Sequence, residues 1–142
     1  ADILGLYMVT QLKEQGVLEE GELEDYYVTF LASIFRSVRF GASSAHGKAN
    51  MLRFNYFNKQ GAFTRNDAGE YAVNMENMKE AVAGLAEIIL KLQGDGDKAG
   101  VEALMAKDGI IKEQLQEDLD RLTANNIPVD VVFKQGIKVL GL

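Results

Sequence analysis

The chain has 142 residues, 47% of them apolar and 25% charged, with a net charge of −6. That composition is near the globular average, and at this length folding removes roughly two-thirds of the surface an unfolded chain exposes. No run of eighteen apolar residues is present, which excludes a membrane-spanning helix, and the absence of cysteine excludes disulfides, thiol chemistry and cysteine-based metal sites. Such a pattern is compatible with a cytoplasmic protein. Neither an initial methionine nor a basic stretch followed by an apolar one opens the chain. The expectation is therefore of a piece cut from something longer, without a secretory signal.

Charge is distributed unevenly. From Tyr26 to Asn66 there is no Asp or Glu, while Arg36, Arg39, Lys48, Arg53, Lys59 and Arg65 contribute six positive charges. Clustered like charges repel unless something opposes them, so this segment either faces an anion, a carboxylate-bearing ligand or an acidic partner, or is a solvated face.

Ile3 to about Gln15 has apolar residues at helical spacing, and Gly16 is placed to end a helix. Glu22 to Phe40 repeats the pattern with Leu23, Tyr27, Phe30, Leu31, Ile34 and Val38, stopping at Gly41. This is the expected core helix. Ser43 or Ser44 can cap a third helix reaching about Asn58. Between Gly61 and Val73 the alternation becomes two-residue, with Phe63 and Arg65 on one arm and Tyr71 and Val73 on the other. A β-hairpin turning at Asn66-Asp67-Ala68-Gly69 fits. Two strands alone are marginal in water, so the hairpin should lie against helices. Asn74 then caps a helix from Met75 to about Gln93. Asp97 caps a shorter one ending before Gly109, and Lys112 to about Asn125 forms a sixth with Leu115, Leu119 and Leu122 inward and Pro128 blocking continuation. Val129 to Leu142 reads as an extended tail with room for a short strand, packing on the body or on a missing partner domain. The expected fold is mainly α, a bundle-like arrangement of about six helices with one β-hairpin and an extended C-terminal tail.

Several chemistries are absent. Asp95-Gly96-Asp97 lacks the rest of a calcium loop and its closing Glu, and is an interhelical turn. None of the 14 glycines forms a dinucleotide or phosphate-binding loop. The aromatic residues fit a core better than a base-stacking platform, and an acidic chain is a poor nucleic-acid ligand. One histidine cannot make a zinc site, and no His-Glu-x-x-His or Ser/His/Asp set occurs, so no metal ligands are assigned.

The chemistry concentrates on the third helix. Spacings of four and three put His46, Asn50 and Arg53 on one face, beside an apolar stripe of Ala45, Ala49, Leu52 and Tyr56. An imidazole, an amide and a guanidinium in a row can together hold a peptide carbonyl or carboxylate. Gly47, inside the same helix, costs about 1 kcal/mol relative to Ala and points to close approach of another backbone or a ligand. From the residues alone, His46 is either a ligand contact or a histidine hydrogen-bonded at the edge of the core.

Three segments carry a resemblance. Ala1-Asp2-Ile3-Leu4-Gly5-Leu6-Tyr7 resembles the stretch starting with the last two residues of the Glu-Glu-x-Arg-Ala-Asp/Glu motif of the dipeptidyl peptidase III family. Ala45-His46 is similar to the family's helical Ala-His segment, and Leu92 to Gly100 followed by Ala103-Leu104 to its late Gly-Asp segment. The matches run in order across almost the whole chain. The resemblance implies a two-lobed zinc exopeptidase that removes dipeptides from peptide N-termini, of which this chain, residues 1–142, is a C-terminal helical part of the zinc-bearing lobe. It further implies that His46 contacts substrate as a catalytic residue and that Asn50 and Arg53 bind it. The zinc belongs to the parent protein, held by a His-Glu-x-x-Gly-His helix upstream and a glutamate just before residue 1, with none in this fragment. The family commonly has an arginine four residues after the histidine, where this chain has Asn50, with Arg53 three further on. Some relatives carry a nudix domain ahead of the peptidase region, though nothing here resembles a nudix box. The partners implied are a peptide substrate and the remainder of the same polypeptide, with neither nucleic acid nor membrane. The alternatives are a non-catalytic helical interaction module whose basic face docks an acidic partner, and the C-terminal region of a nudix-fused protein.

Overall fold

Side chains that accept from unpaired backbone N–H groups set several of the helix starts. The computed structural model, which describes residues 1–131 and 133–141, has α1 at Asp2–Glu14, α2 at Leu23–Val38 and α3 at Ala45–Lys59. Strands β1 (Phe63–Arg65) and β2 (Tyr71–Val73) follow, then α4 at Met75–Gly94, α5 at Lys98–Asp108, α6 at Glu113–Ala124 and α7 at Ile137–Leu140. Ser44 accepts from the Gly47 N–H at 3.0 Å, Asn74 from Asn77 at 3.0 Å, and Asp97 from Gly100 at 2.8 Å. Each satisfies a donor that the first helical turn leaves open. The Asp95-Gly96-Asp97 turn is thus an interhelical cap. Helix α2 stops where Gly41 takes φ +87°, a conformation that side chains with a Cβ rarely adopt.

Helix α3 is the hub, packing against α2, α4, α5 and β1, while α1 lies on α4. Its hydrophobic residues do not form one narrow stripe because several of its faces are covered: Met51, Leu52, Phe54, Asn55 and Phe57 are all buried. Facing it, α2 buries Tyr27, Leu31, Ile34 and Val38. Phe30, expected in the core with them, is only half-buried, because it borders a cleft described below. Phe57 meets Phe63, Phe30 and Tyr56 edge-on, with the Phe63 ring centroid 5.1 Å away. Polar groups inside are paired. The Tyr27 hydroxyl donates to Thr10 Oγ1 at 2.8 Å, while Thr10 donates to the Leu6 carbonyl, and burial raises the Tyr27 pKa. Asn55 spans α3 to the end of α5, donating to the carbonyls of Asp108 (2.8 Å) and Ile110 (2.9 Å).

The expected hairpin is present, pairing Phe63 with Val73 and Arg65 with Tyr71, and β1 lies on α3 and β2 on α2. What pins it to α6 is a carboxylate. Asp118, 6% exposed, accepts from Arg65 Nε (2.8 Å) and Nη2 (2.9 Å) and from the Tyr71 hydroxyl (2.7 Å). The Arg65 hydrogen bonds are the chief reason the Asp118 carboxyl is held below its ordinary pKa, against the opposing effect of burial. Burial first, and then the bond to Asp118, pushes the Tyr71 phenol up. Asp118→Asn should cost about 2 kcal/mol at neutral pH, since it weakens charge-assisted bonds to partly buried donors. A carboxyl whose pKa is depressed by folding contributes stability present above its unfolded pKa and lost as pH falls through the folded one. The gap between parent and variant, measured by denaturant melts, should therefore close as pH drops below about 4.

One feature of the C-terminal stretch differs from expectation and one agrees with it. A seventh, four-residue helix (α7) interrupts the tail, ending at Gly141 with φ +70°. The tail also begins on the body: Arg39 donates to the carbonyls of Pro128 (2.7 Å) and Ile127 (2.5 Å), and Arg36 pairs with Asp130 at 2.9 Å. Beyond that, Val131, Phe133, Ile137, Val139 and Leu140 are exposed. Val132 and Leu142, within the segment read as a tail, lie outside the described residues.

Candidate functional site

Helices α1, α2 and α3 border a cleft of about 500 Å³. From α1 come Asp2, Leu6 and Val9, and from α2 the row Tyr26, Thr29, Phe30, Ser33 and Ser37. Asn50 and Arg53 of α3 complete the lining. Arg53 sits deep, its side chain 15% exposed, with Nη1 2.7 Å from Asp2 Oδ2 and the guanidinium carbon 6.0 Å from the centre of the Phe30 ring. Asn50 joins two helices: its amide donates to Ser37 Oγ at 2.7 Å, and its oxygen accepts from Arg53 Nη1 at 2.8 Å. A chain of polar contacts, Ser37 to Asn50 to Arg53 to Asp2, thus ties α2, α3 and α1 together along one wall. The wall offers hydroxyls, an amide and one guanidinium beside aromatic surface.

His46 is on the same helix, in the first turn of α3, and is exposed. It makes no hydrogen bond or ion pair among the described residues. The structure therefore brings Asn50 and Arg53 together in the cleft, while His46 projects from the end of the helix beyond its lining. The alternative of a core-edge histidine finds no hydrogen-bond partner here.

The basic segment is largely engaged within the chain. Arg36, Arg39, Arg53 and Arg65 meet Asp130, the tail carbonyls, Asp2 and Asp118 respectively. The hydroxyl row on α2 and the Asp118 cluster were both missed by sequence reasoning. The row has a signal, since Tyr26, Thr29, Ser33 and Ser37 recur at three- and four-residue spacing on one helical face. The cluster has none, because it joins residues about fifty positions apart.

Among the described residues no group of three or more His, Asp or Glu side chains converges as a metal site would require. The residues of this chain do not by themselves fit zinc. No helix among them is long and apolar enough to cross a membrane.

No family model matches the chain. Among solved structures, the dipeptidyl peptidase III of Caldithrix abyssi shares its backbone with a TM-score of 0.84 at 34% identity, over 97% of this chain and 26% of that one. The dipeptidyl-peptidase III of Corallococcus sp. strain EGB gives 0.85 and 39%, over 92% of this chain and 24% of that one. Nudix hydrolase 3 of Arabidopsis thaliana is 39% identical over 131 residues, 92% of this chain and 17% of that protein. The chain thus spans 17% of the curated relative's length and about a quarter of each solved structure. Shared sequence and shared backbone over nearly all of its residues relate the chain to the dipeptidyl peptidase III family, of which it matches one helical stretch.

Proposed function

We propose that these residues work as one helical domain, residues 1–142, in the zinc-bearing lobe of a longer cytoplasmic exopeptidase that removes dipeptides from peptide N-termini. The observation that carries this reading is the 34–39% identity, at TM-scores of 0.84 and 0.85, to two dipeptidyl peptidase III structures over nearly the whole chain. In this reading the substrate is a peptide, and the other partner is the rest of the same polypeptide. His46 is the catalytic contact, an exposed imidazole that donates a hydrogen bond to the scissile carbonyl oxygen as negative charge builds there. Asn50 and Arg53 line the path of the bound chain, and Arg53, already neutralised in part by Asp2, contributes donors more than net charge.

Zinc, if bound by the longer protein, would supply Lewis-acid activation of the carbonyl and of the attacking water. Its ligands lie outside this chain, and the 142-residue chain alone should retain no stoichiometric zinc after dialysis, as elemental analysis of the purified protein reads directly. Equimolar zinc held by this chain would contradict the assignment.

The full-length protein, incubated with an oligopeptide having a free N-terminus, should release successive dipeptides detectable by mass spectrometry, and chelation should stop the release. Products of other lengths, or none, would remove the peptidase reading. The likeness to Nudix hydrolase 3 supports a nudix portion elsewhere in the same polypeptide. The docking-module alternative is weakened by the internal engagement of Arg36, Arg39, Arg53 and Arg65.

A further inference from the structure

Gly47 is buried in the first turn of α3 although its neighbours His46 and Lys48 are exposed. The reason is the loop between α2 and α3. A Cβ built on Gly47 would stand 2.6 Å from the Gly41 carbonyl oxygen and 2.7 Å from the Ala42 Cα. Both are backbone atoms, so neither can swing aside as a flexible side chain would. The loop itself is fixed at both ends: the Gly41 N–H donates to the Val38 carbonyl at 2.8 Å, and Ser44 caps α3 through the Gly47 N–H at 3.0 Å. A helix interior normally disfavours glycine. Here its missing side chain is what allows the loop to press onto the turn that carries His46.

We infer that Gly47 is a positioning residue for His46: the contact of its bare Cα with the Gly41–Ala42 backbone, locked by the Ser44 cap, sets where the imidazole points. This rests on the reading of His46 as the substrate contact. Restoring ordinary contact distance around an added methyl requires the turn and the loop to part by on the order of 1 Å. Misplacing a catalytic group by that much costs about 10²-fold in turnover. The structure thus accounts for a glycine at a position where local propensity favours alanine.

The test is a double-mutant cycle on dipeptide release by the full-length protein. Gly47→Ala should lower kcat by roughly 10- to 100-fold with KM near the parental value, and should cost nothing further in a His46→Ala background. Losses that multiply would show that Gly47 acts independently of His46 and would overturn the inference. If His46→Ala alone left turnover intact, the functional reading would fail instead, and a second readout still decides the positional one. His46 is the sole histidine, so its imidazole NMR signals in the 142-residue chain are unambiguous. They should move in Gly47→Ala and stay in place in Gly5→Ala, whose added methyl meets nothing within 4 Å. Ser44→Ala, which loosens the same turn without a clash, should move them too, and Ser44→Asp, which caps as well, should restore them. Unmoved signals in Gly47→Ala, or in Ser44→Ala should the first variant not fold, would overturn the proposal.

Discussion

Phe57→Ala should destabilise the chain by about 3–5 kcal/mol, the largest stability loss expected from a single truncation. Phe57 is fully buried on the helix against which α2, α4, α5 and β1 pack, and its ring meets the rings of Phe30, Tyr56 and Phe63 edge-on, at centroid distances of 5.1 to 6.2 Å. Removing it takes away the transfer free energy of a large side chain and three aromatic contacts. It also leaves a void bordered by α2, α3 and β1, which cannot all close in at once. Since a domain of this size is stable by only about 5–15 kcal/mol, a loss of that order is a large share of the total. Urea melts of parent and variant at equal protein concentration measure it. A midpoint shift equivalent to less than about 1 kcal/mol would mean that α3 is not the hub of the core.

Much of the fold was legible because its elements are bounded by local chemistry. Ser44, Asn74 and Asp97 each cap the helix that follows, and Gly16, Gly41 and Gly69 each take the positive φ expected of a stop or turn. Two-residue alternation on either side of Asn66 to Gly69 gave the hairpin its arms and its turn. The seventh helix was not legible: Ile137–Leu140 is a single turn with no capping side chain and no buried face, so nothing in its pattern separates it from an extended tail. Phe30 packs against the core but is less buried than expected, for a related reason. Periodicity puts it on the inward side of α2, but which inward residues meet a helix and which meet a cleft depends on the tilt of α1 and α3. The candidate site was legible in part. Spacing put His46, Asn50 and Arg53 on one face; Asn50 and Arg53 share the cleft wall while His46 lies outside its lining, and the counter-charge that holds Arg53 comes from Asp2, fifty-one positions away. Charge segregation along the sequence was also a poor guide to a charged surface, because the arginines of the acid-free segment reach carboxylates and carbonyls distant in the chain. The close approach implied by Gly47 was readable, but not that the approaching group is the backbone of Gly41 and Ala42.

The central claim is that this chain supplies the substrate-contacting histidine of a dipeptide-releasing enzyme, and the measurement that tests it most directly is turnover by the His46→Ala form of the full-length protein. His46 is exposed in the first turn of α3 and makes no hydrogen bond among the described residues. Its truncation removes little packing, so the melting temperature and zinc content should stay at parental values. A single donor aimed at a developing oxyanion is worth about 10²–10³ in kcat. The result predicted is therefore a fall in kcat of that size, with kcat/KM falling in proportion because the interaction is made only in the transition state. Dipeptide release by His46→Ala at the parental rate, with zinc content and melting temperature unchanged, would contradict the account.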